Sequence, residues 1–241
     1  MIQYGCLSRY FNLYKNEIIF AKENNFSFFQ LWYDNSGLVL HKDDMPFLET
    51  IKKNSFPSII HALLDINDFE NCIPNLVKTI MDLNHKEVII HPICERKKIS
   101  EPNEKLNKLI KEYAKFFKGI KIYLENNAKI DSFFNKEEEI KYIFDENPDI
   151  EFLLDIAHVD SYEQLNNLIK IKYPKILHIS DKRSGIDHEH LPIGKGDINF
   201  KVIFNRLFKK FEGKIIFEIQ KEDKDIINSR RKIESIIKTS T

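Results

Sequence analysis

The sequence predicts a closed (β/α)8 barrel, and three observations predict it. Eight short apolar runs, rich in Ile, Val, Leu and Phe, punctuate the chain. A segment with helical spacing follows each run. The GxGxxG loop that an open doubly wound sheet would carry after its first strand is missing. Strands buried on both faces read as unbroken apolar runs, and alternating βα units imply a parallel sheet with right-handed crossovers. Eight such units close into a ring, for which 241 residues is an ordinary single-domain length.

The expected strands are residues 3–8 (QYGCLS), 26–32 (FSFFQLW), 58–63 (SIIHAL), 87–91 (EVIIH), 119–125 (GIKIYLE), 151–155 (EFLLD), 175–179 (KILHI) and 214–219 (KIIFEI). Between them the apolar period changes to that of a helix. Ile73, Leu76, Val77, Ile80 and Met81 fall on one face, as do Leu106, Leu109, Ile110, Tyr113 and Phe116. The run QLNNLIKI repeats the pattern. The opposite faces, rich in Lys and Glu, read as solvated outer surface. No linker, low-complexity tract or shift in composition divides the chain, so residues 1–241 read as one domain.

Composition excludes several function classes. Hydrophobic residues make up 42% and charged residues 31%, enough apolar material for a sizeable core. Lys plus Arg and Asp plus Glu both number 37, so no global field favours nucleic acid or a membrane surface. Cys6, Cys72 and Cys94 form no CxxC, which argues against a disulfide framework or a thiolate zinc site. The N-terminus lacks the basic and apolar regions of a signal peptide. Apolar runs stop at about five residues, against the roughly 20 that span a bilayer. A soluble, cytoplasmic protein is expected, with a homo-oligomer compatible.

The histidines carry the chemistry. Barrels build their sites at the C-terminal ends of the strands. His61 lies near the end of the third run, His91 ends the fourth, Glu125 the fifth and Asp155 the sixth. His158 follows Asp155 closely. His178 lies in the seventh run, His188 and His190 in the loop after it, and Glu218 in the eighth. His41 and His85 fall outside this pattern. A lone histidine at a strand end is usually structural; six on one rim with three carboxylates imply a divalent ion. Imidazole plus carboxylate without thiolate suits zinc, manganese or cobalt. Bridging carboxylates leave the count open from one to three ions per chain.

At these residues the chain resembles the xylose-isomerase-like TIM barrels, which include sugar phosphate isomerases and epimerases and the endonuclease IV type of AP endonuclease. The stretches that carry the resemblance are IIHAL, VIIHP, YLENN, LLDIAH, LHISD, HEHLPIGKGDI and IFEI, in family order. In the isomerase branch the resemblance implies one metal held by Glu125, Asp155, His178 and Glu218. In the endonuclease branch it implies three zincs, with His61, His91, His158 and His190 added. That branch has a further aspartate where His188 stands here, beside Asp187, a departure that bears on the third metal.

Two reactions follow as expectations. An isomerase or epimerase of a sugar or sugar phosphate removes a proton beside a carbonyl while the ion stabilises the enediolate. Glu125 and Glu218 are the natural acid–base pair, or else purely ligands. Lys182, Arg183 and Lys195, near Gly194 and Gly196, could meet a phosphate or simply be solvated. Trp32, Tyr10 and Phe11 could stack on a sugar or a base, or pack the rim. Asp181 and Asn126 are candidate orienters of ligands. The alternative is a zinc phosphodiesterase acting on abasic DNA. Against it stand the neutral charge balance and the loops after the first two strands, where Arg9 alone is basic. A barrel that binds a metabolite or partner without turnover would be expected to have lost ligands, which this one keeps.

Overall fold

The computed structural model describes residues 1–44, 47–94 and 99–239. Its strands and helices are β1 (Gln3–Leu7), α1 (Tyr14–Glu23), β2 (Phe28–Asp34), β3 (Gly37–Leu38), α2 (Phe47–Asn54), β4 (Ser58–Asp65), α3 (Phe69–Asp82), β5 (Glu87–Ile93), α4 (Pro102–Tyr113), β6 (Lys121–Glu125), α5 (Glu137–Glu146), β7 (Glu151–Asp155), α6 (Tyr162–Ile171), β8 (Ile176–Ile179), α7 (Phe200–Arg206), β9 (Lys214–Phe217) and α8 (Asp223–Lys238). The ring closes because β1 pairs in parallel with both β2 and β9. Parallel pairing continues from β2 through β4 to β9. The fold is the expected α/β (β/α)8 TIM barrel. The short β3 lies outside the ring, folding back antiparallel on β2.

Three strands outrun their sequence limits. β2 extends to Asp34, β4 to Asp65 and β5 to Ile93. His61 and His91 therefore sit inside strands. The stagger of a tilted barrel still brings them level with residues at shorter strands' ends. Glu218 lies just beyond β9, its N–H donating to the Ile179 carbonyl at 3.1 Å.

The inside of the ring is layered by the two-residue period of strands. Phe28, Ile59, Ile89, Tyr123, Leu153, Ile176 and Ile216 form one inner apolar cluster. Two residues further along each of those strands stand Gln30, His61, His91, Glu125, Asp155, His178 and Glu218. One step of the pleat thus converts a dry layer into a polar one. β1 departs from this with Gly5 and Leu7. A Cβ on Gly5 would lie 2.5 Å from the Phe28 ring, so that ring occupies the space a side chain would take. The outer faces of the strands pack under the helices, where the larger core includes Phe29, Ile60, Ile90, Leu124, Leu154 and Leu177. Among the described residues no helix is long and apolar enough to cross a membrane.

Candidate metal centre

The polar layer gathers the sequence-predicted ligands. Ligand atoms of Glu125, Asp155, His178 and Glu218 lie within 4.8 Å of one another. They come from β6, β7, β8 and the end of β9, four consecutive strands. His61, His91 and Glu125 form a second group within the same limit, and His158, His188 and His190 a third. Glu125 belongs to two groups through different oxygens. Its Oε1 is 2.9 Å from His178 Nδ1, and its Oε2 is 2.8 Å from His61 Nε2.

The donor set passes a simple chemical test for a divalent ion. His91 Nε2, Asp155 Oδ2 and His158 Nε2 are buried and have no hydrogen-bond partner, and the buried His61 Nε2 and Glu125 Oε2 face each other at 2.8 Å. Buried polar atoms normally find a partner, and a cation held by these groups would supply one. Neighbours hold the opposite edges of these side chains. Asp155 Oδ1 accepts from the Ala157 N–H at 2.7 Å, leaving Oδ2 to face the cluster. His158 Nδ1–H donates to the Asn126 carbonyl at 2.8 Å, which leaves Nε2 as the lone pair. Asn126 Oδ1 also accepts from the Asp155 N–H at 2.8 Å. Asn126 therefore orients two candidate ligands.

Electrostatics separate the carboxyls. Burial pushes Glu125 up, but His178, His91 and His61 outweigh it and hold it well below the usual carboxylate range. Burial likewise raises Glu218, and His178 and His190 overcome it to the same effect. For Asp155 burial dominates, and the carboxyl is driven well above its ordinary value. His178 responds in the other direction: burial opposes its charge, yet Glu125 and Glu218 raise it well above 6.5. His91 is pushed down to about 3, chiefly by burial.

Above the cluster opens a cavity of ≈ 360 Å³, lined by Leu7, Trp32, Leu63, His91, His158, His188, His190, Glu218, Gln220 and Lys221. The Trp32 ring lies against His61, centroids 4.7 Å apart and planes tilted by 37°, and its buried Nε1 has no hydrogen-bond partner. The expected basic residues lie elsewhere. Lys182 and Arg183 line a neighbouring cavity of ≈ 570 Å³ between the loop after β8 and the starts of α6 and α7. Lys182 Nζ donates to the Val159 carbonyl at 3.2 Å, and Arg183 pairs with Glu189. Lys195 is exposed and lines neither cavity. Tyr10 and Phe11 are exposed and meet each other edge to face. Arg9 is buried in ion pairs with Glu17 and Asp223.

The loop after β8 is tied by Asp181. Its carboxylate accepts from the N–H groups of Lys182, Gly194 and Ile198 at 2.9, 2.7 and 3.1 Å. A Cβ on Gly196 would lie 2.5 Å from both Asp181 Oδ1 and the Lys182 carbonyl, so Gly-Lys-Gly serves this close approach. His188 and His190 are held over the cluster as a result, with their Nε2 atoms 2.9 Å apart.

Gln30 was not among the residues the sequence singled out. It is fully buried, with its amide between His61 Nδ1 at 3.0 Å and His178 Nε2 at 2.7 Å. The signal was present: in FSFFQLW it is the one amide in an apolar strand, at the offset from Phe28 that His61 keeps from Ile59.

Ring, layered interior and histidine–carboxylate rim define an α/β barrel with a site suited to metal-assisted chemistry. The family described as xylose isomerase-like TIM barrel matches residues 92–238, and the chain belongs to it. An uncharacterized protein of Methanocaldococcus jannaschii is 30% identical over 161 residues, covering 64% of this chain and 62% of that relative. The chain thus matches less than two thirds of that relative's length. Among solved structures, a D-tagatose 3-epimerase-like protein superposes with a TM-score of 0.77 at 21% identity, covering 99% of this chain and 98% of that one. An L-ribulose 3-epimerase gives 0.74 at 14%, over 100% and 96%. The 3-keto-D-glucoside 4-epimerase of E. coli gives 0.71 at 16%, over 98% and 100%. At these identities the likeness establishes the fold.

Proposed function

We propose that the protein is a metal-dependent isomerase or epimerase of a sugar or sugar phosphate. One observation carries the reading: Glu125 and Glu218 are both buried, held ionised by histidines, and placed on the first and last of four consecutive strands around Asp155 and His178. Glu125, Asp155, His178 and Glu218 would hold a divalent ion. Such an ion supplies Lewis acidity, favouring the charge that develops on a carbonyl oxygen when the neighbouring carbon loses its proton.

The side chains account for the rest. Glu125, at the end of β6, and Glu218, just past β9, are the two outer carboxylates of the group, so one would take the proton and the other return it. Trp32 offers its ring face to the apolar side of a sugar and its Nε1–H to a hydroxyl. His188 and His190 close the cavity on the side of the β8 loop. The cavity suits a small molecule.

The epimerases among the structural neighbours support this reading as fold-level analogy. The test is elemental analysis of the purified chain, then exchange of a ketose α-proton into deuterated solvent with added Mn²⁺ or Co²⁺. Metal-dependent exchange that Glu218→Gln abolishes is the expected result. Metal binding without exchange across ketoses and their phosphates would overturn it.

A second reading has its own observation. Three groups of ligands, rather than one, would accommodate the three zincs of an endonuclease IV-like phosphodiesterase. Three zincs per chain with nicking of an abasic duplex would favour it. The burial of Arg9 weighs against it, because the basic residue of the loop after β1 is committed to Glu17 and Asp223.

A further inference from the structure

Gln30 touches two of the three ligand groups at once. It reaches from β2 across the ring to His178 on β8, and sideways to His61 on the adjacent β4. A primary amide has one end that accepts and one that donates. A neutral imidazole carries one proton, so whatever its outer nitrogen does decides what its inner nitrogen can do.

His178 Nε2–H donates to Gln30 Oε1 at 2.7 Å. His178 Nδ1 stands 2.9 Å from Glu125 Oε1 and 3.1 Å from Glu218 Oε2 and donates to these carboxylates; once an ion displaces that proton, the His178 lone pair is on Nδ1. That nitrogen is ready for an ion in the four-residue group. The other end of the same amide donates to His61 Nδ1 at 3.0 Å. His61 must then carry its proton on Nε2, the atom directed at Glu125 Oε2 and offered to the group with His91. A protonated nitrogen cannot be a ligand. Turning the amide over exchanges the two outcomes and leaves the sum unchanged: His61 gains a lone pair at Nε2, and His178 loses the one at Nδ1.

We propose that Gln30 is a positioning residue that makes these two metal groups mutually exclusive. The four-residue group has three carboxylates against one, so its attraction for a cation is the greater. An ion there draws the His178 lone pair inward, fixes the amide, and sets His61 as a donor to Glu125. The chain is thereby held to one ion at Glu125 instead of a pair bridged by it. The inference rests on the metal-dependent reading above, and it separates the one-metal isomerase from the multi-zinc phosphodiesterase by a residue outside the ligand set.

The experiment is Mn²⁺ binding to the full chain, read by calorimetry for stoichiometry and by electron paramagnetic resonance for coupling between ions. Gln30→Glu replaces the amide with two acceptors. Both histidines can then donate outward and present inward lone pairs, so this variant should bind one more ion per chain and show a spin-coupled pair. The second affinity should rise by about 10–100-fold over the wild type. Gln30→Met frees both rings without adding charge, and should also gain the ion, more weakly. In Gln30→Glu/His61→Ala the gain should disappear, whereas His61→Ala alone should leave the wild-type stoichiometry unchanged. Equal stoichiometry in wild type and both single Gln30 variants overturns the proposal, as does a gain that survives loss of His61. A spin-coupled pair already present in the wild type overturns it too, while leaving the metal reading intact. No Mn²⁺ bound by any variant removes the metal reading and this inference together.

Discussion

At the scale of the residue, the candidate centre depends on groups that hold ligands as much as on the ligands. Asp181 shows why. Its carboxylate accepts three backbone N–H bonds and thereby shapes the loop that carries His188 and His190. Hydrogen bonds to a charged group contribute about 1.5–3 kcal/mol each when a partner is removed, because the donors are left unsatisfied. Asp181→Ala should therefore lower stability by about 3 kcal/mol. Hydrogen exchange should rise locally at residues 182–198 before the barrel strands are affected. Unchanged protection there would show that the loop is held by other contacts. Asn126 offers the complementary case. Asn126→Ala removes the acceptor for the Asp155 N–H but keeps the carbonyl that holds His158, so metal affinity should fall about 10–100-fold with little loss of fold. Equal Mn²⁺ affinity in the two proteins would exclude Asn126 from that role.

At the scale of the element, the strands carry both the barrel and the site in one period of two. That period explains what was legible. The apolar runs expose the strands, and polar residues at fixed steps within them expose His61, His91, Glu125, Asp155, His178 and Glu218. Gln30 obeys the same step, yet an amide has no ionisable chemistry to draw attention to it. Asp181 stands out in the sequence as a candidate orienter of ligands, but that it ties the loop, with Gly196 making room for it, was not legible, because the path of a loop is encoded by no periodicity. Lys182 and Arg183 were read with the right loop but face a different cavity, because their side chains bond to Val159 and Glu189. The layering also makes a stability prediction. Gly5 meets the Phe28 ring, and that ring is enclosed by Ile59, Ile89, Tyr123, Leu153, Ile176 and Ile216. Gly5→Ala overfills the layer and should cost about 1–3 kcal/mol. Phe28→Leu in the same chain should recover part of that loss, which a double-mutant cycle reads directly. Strict additivity would mean that the two residues do not share the space.

At the scale of the whole molecule, the ring has to close at its floor as well as at the rim that carries the histidines and carboxylates. Below the apolar layer, Glu87 on β5 pairs with Lys214 on β9 and accepts a hydrogen bond of 2.6 Å from the Tyr123 hydroxyl on β6. The pair spans 127 positions of chain and joins two strands that are not neighbours in the sheet. Burial pushes the Glu87 carboxyl up, but the hydrogen bonds from Lys214 and Tyr123 outweigh it and hold it below its ordinary value of 4.5. A carboxyl whose pKa falls on folding stabilises the native state wherever it is ionised. That contribution is complete above the unfolded value and is lost as pH drops through the folded one. Glu87→Gln should thus melt about 2–4 °C below the wild type at pH 7, corresponding to roughly 1 kcal/mol for a partly buried pair. The difference should narrow as the pH is lowered past 4.5, because the wild type loses the charge that the variant never had. High salt should reduce the gap only modestly, since the pair is shielded beneath the Phe28 ring that Lys214 approaches to 5.8 Å. A melting difference that stayed constant from pH 7 to pH 3 would place the effect in packing rather than in charge, and the floor would then be closed by the Tyr123 ring and its apolar neighbours alone.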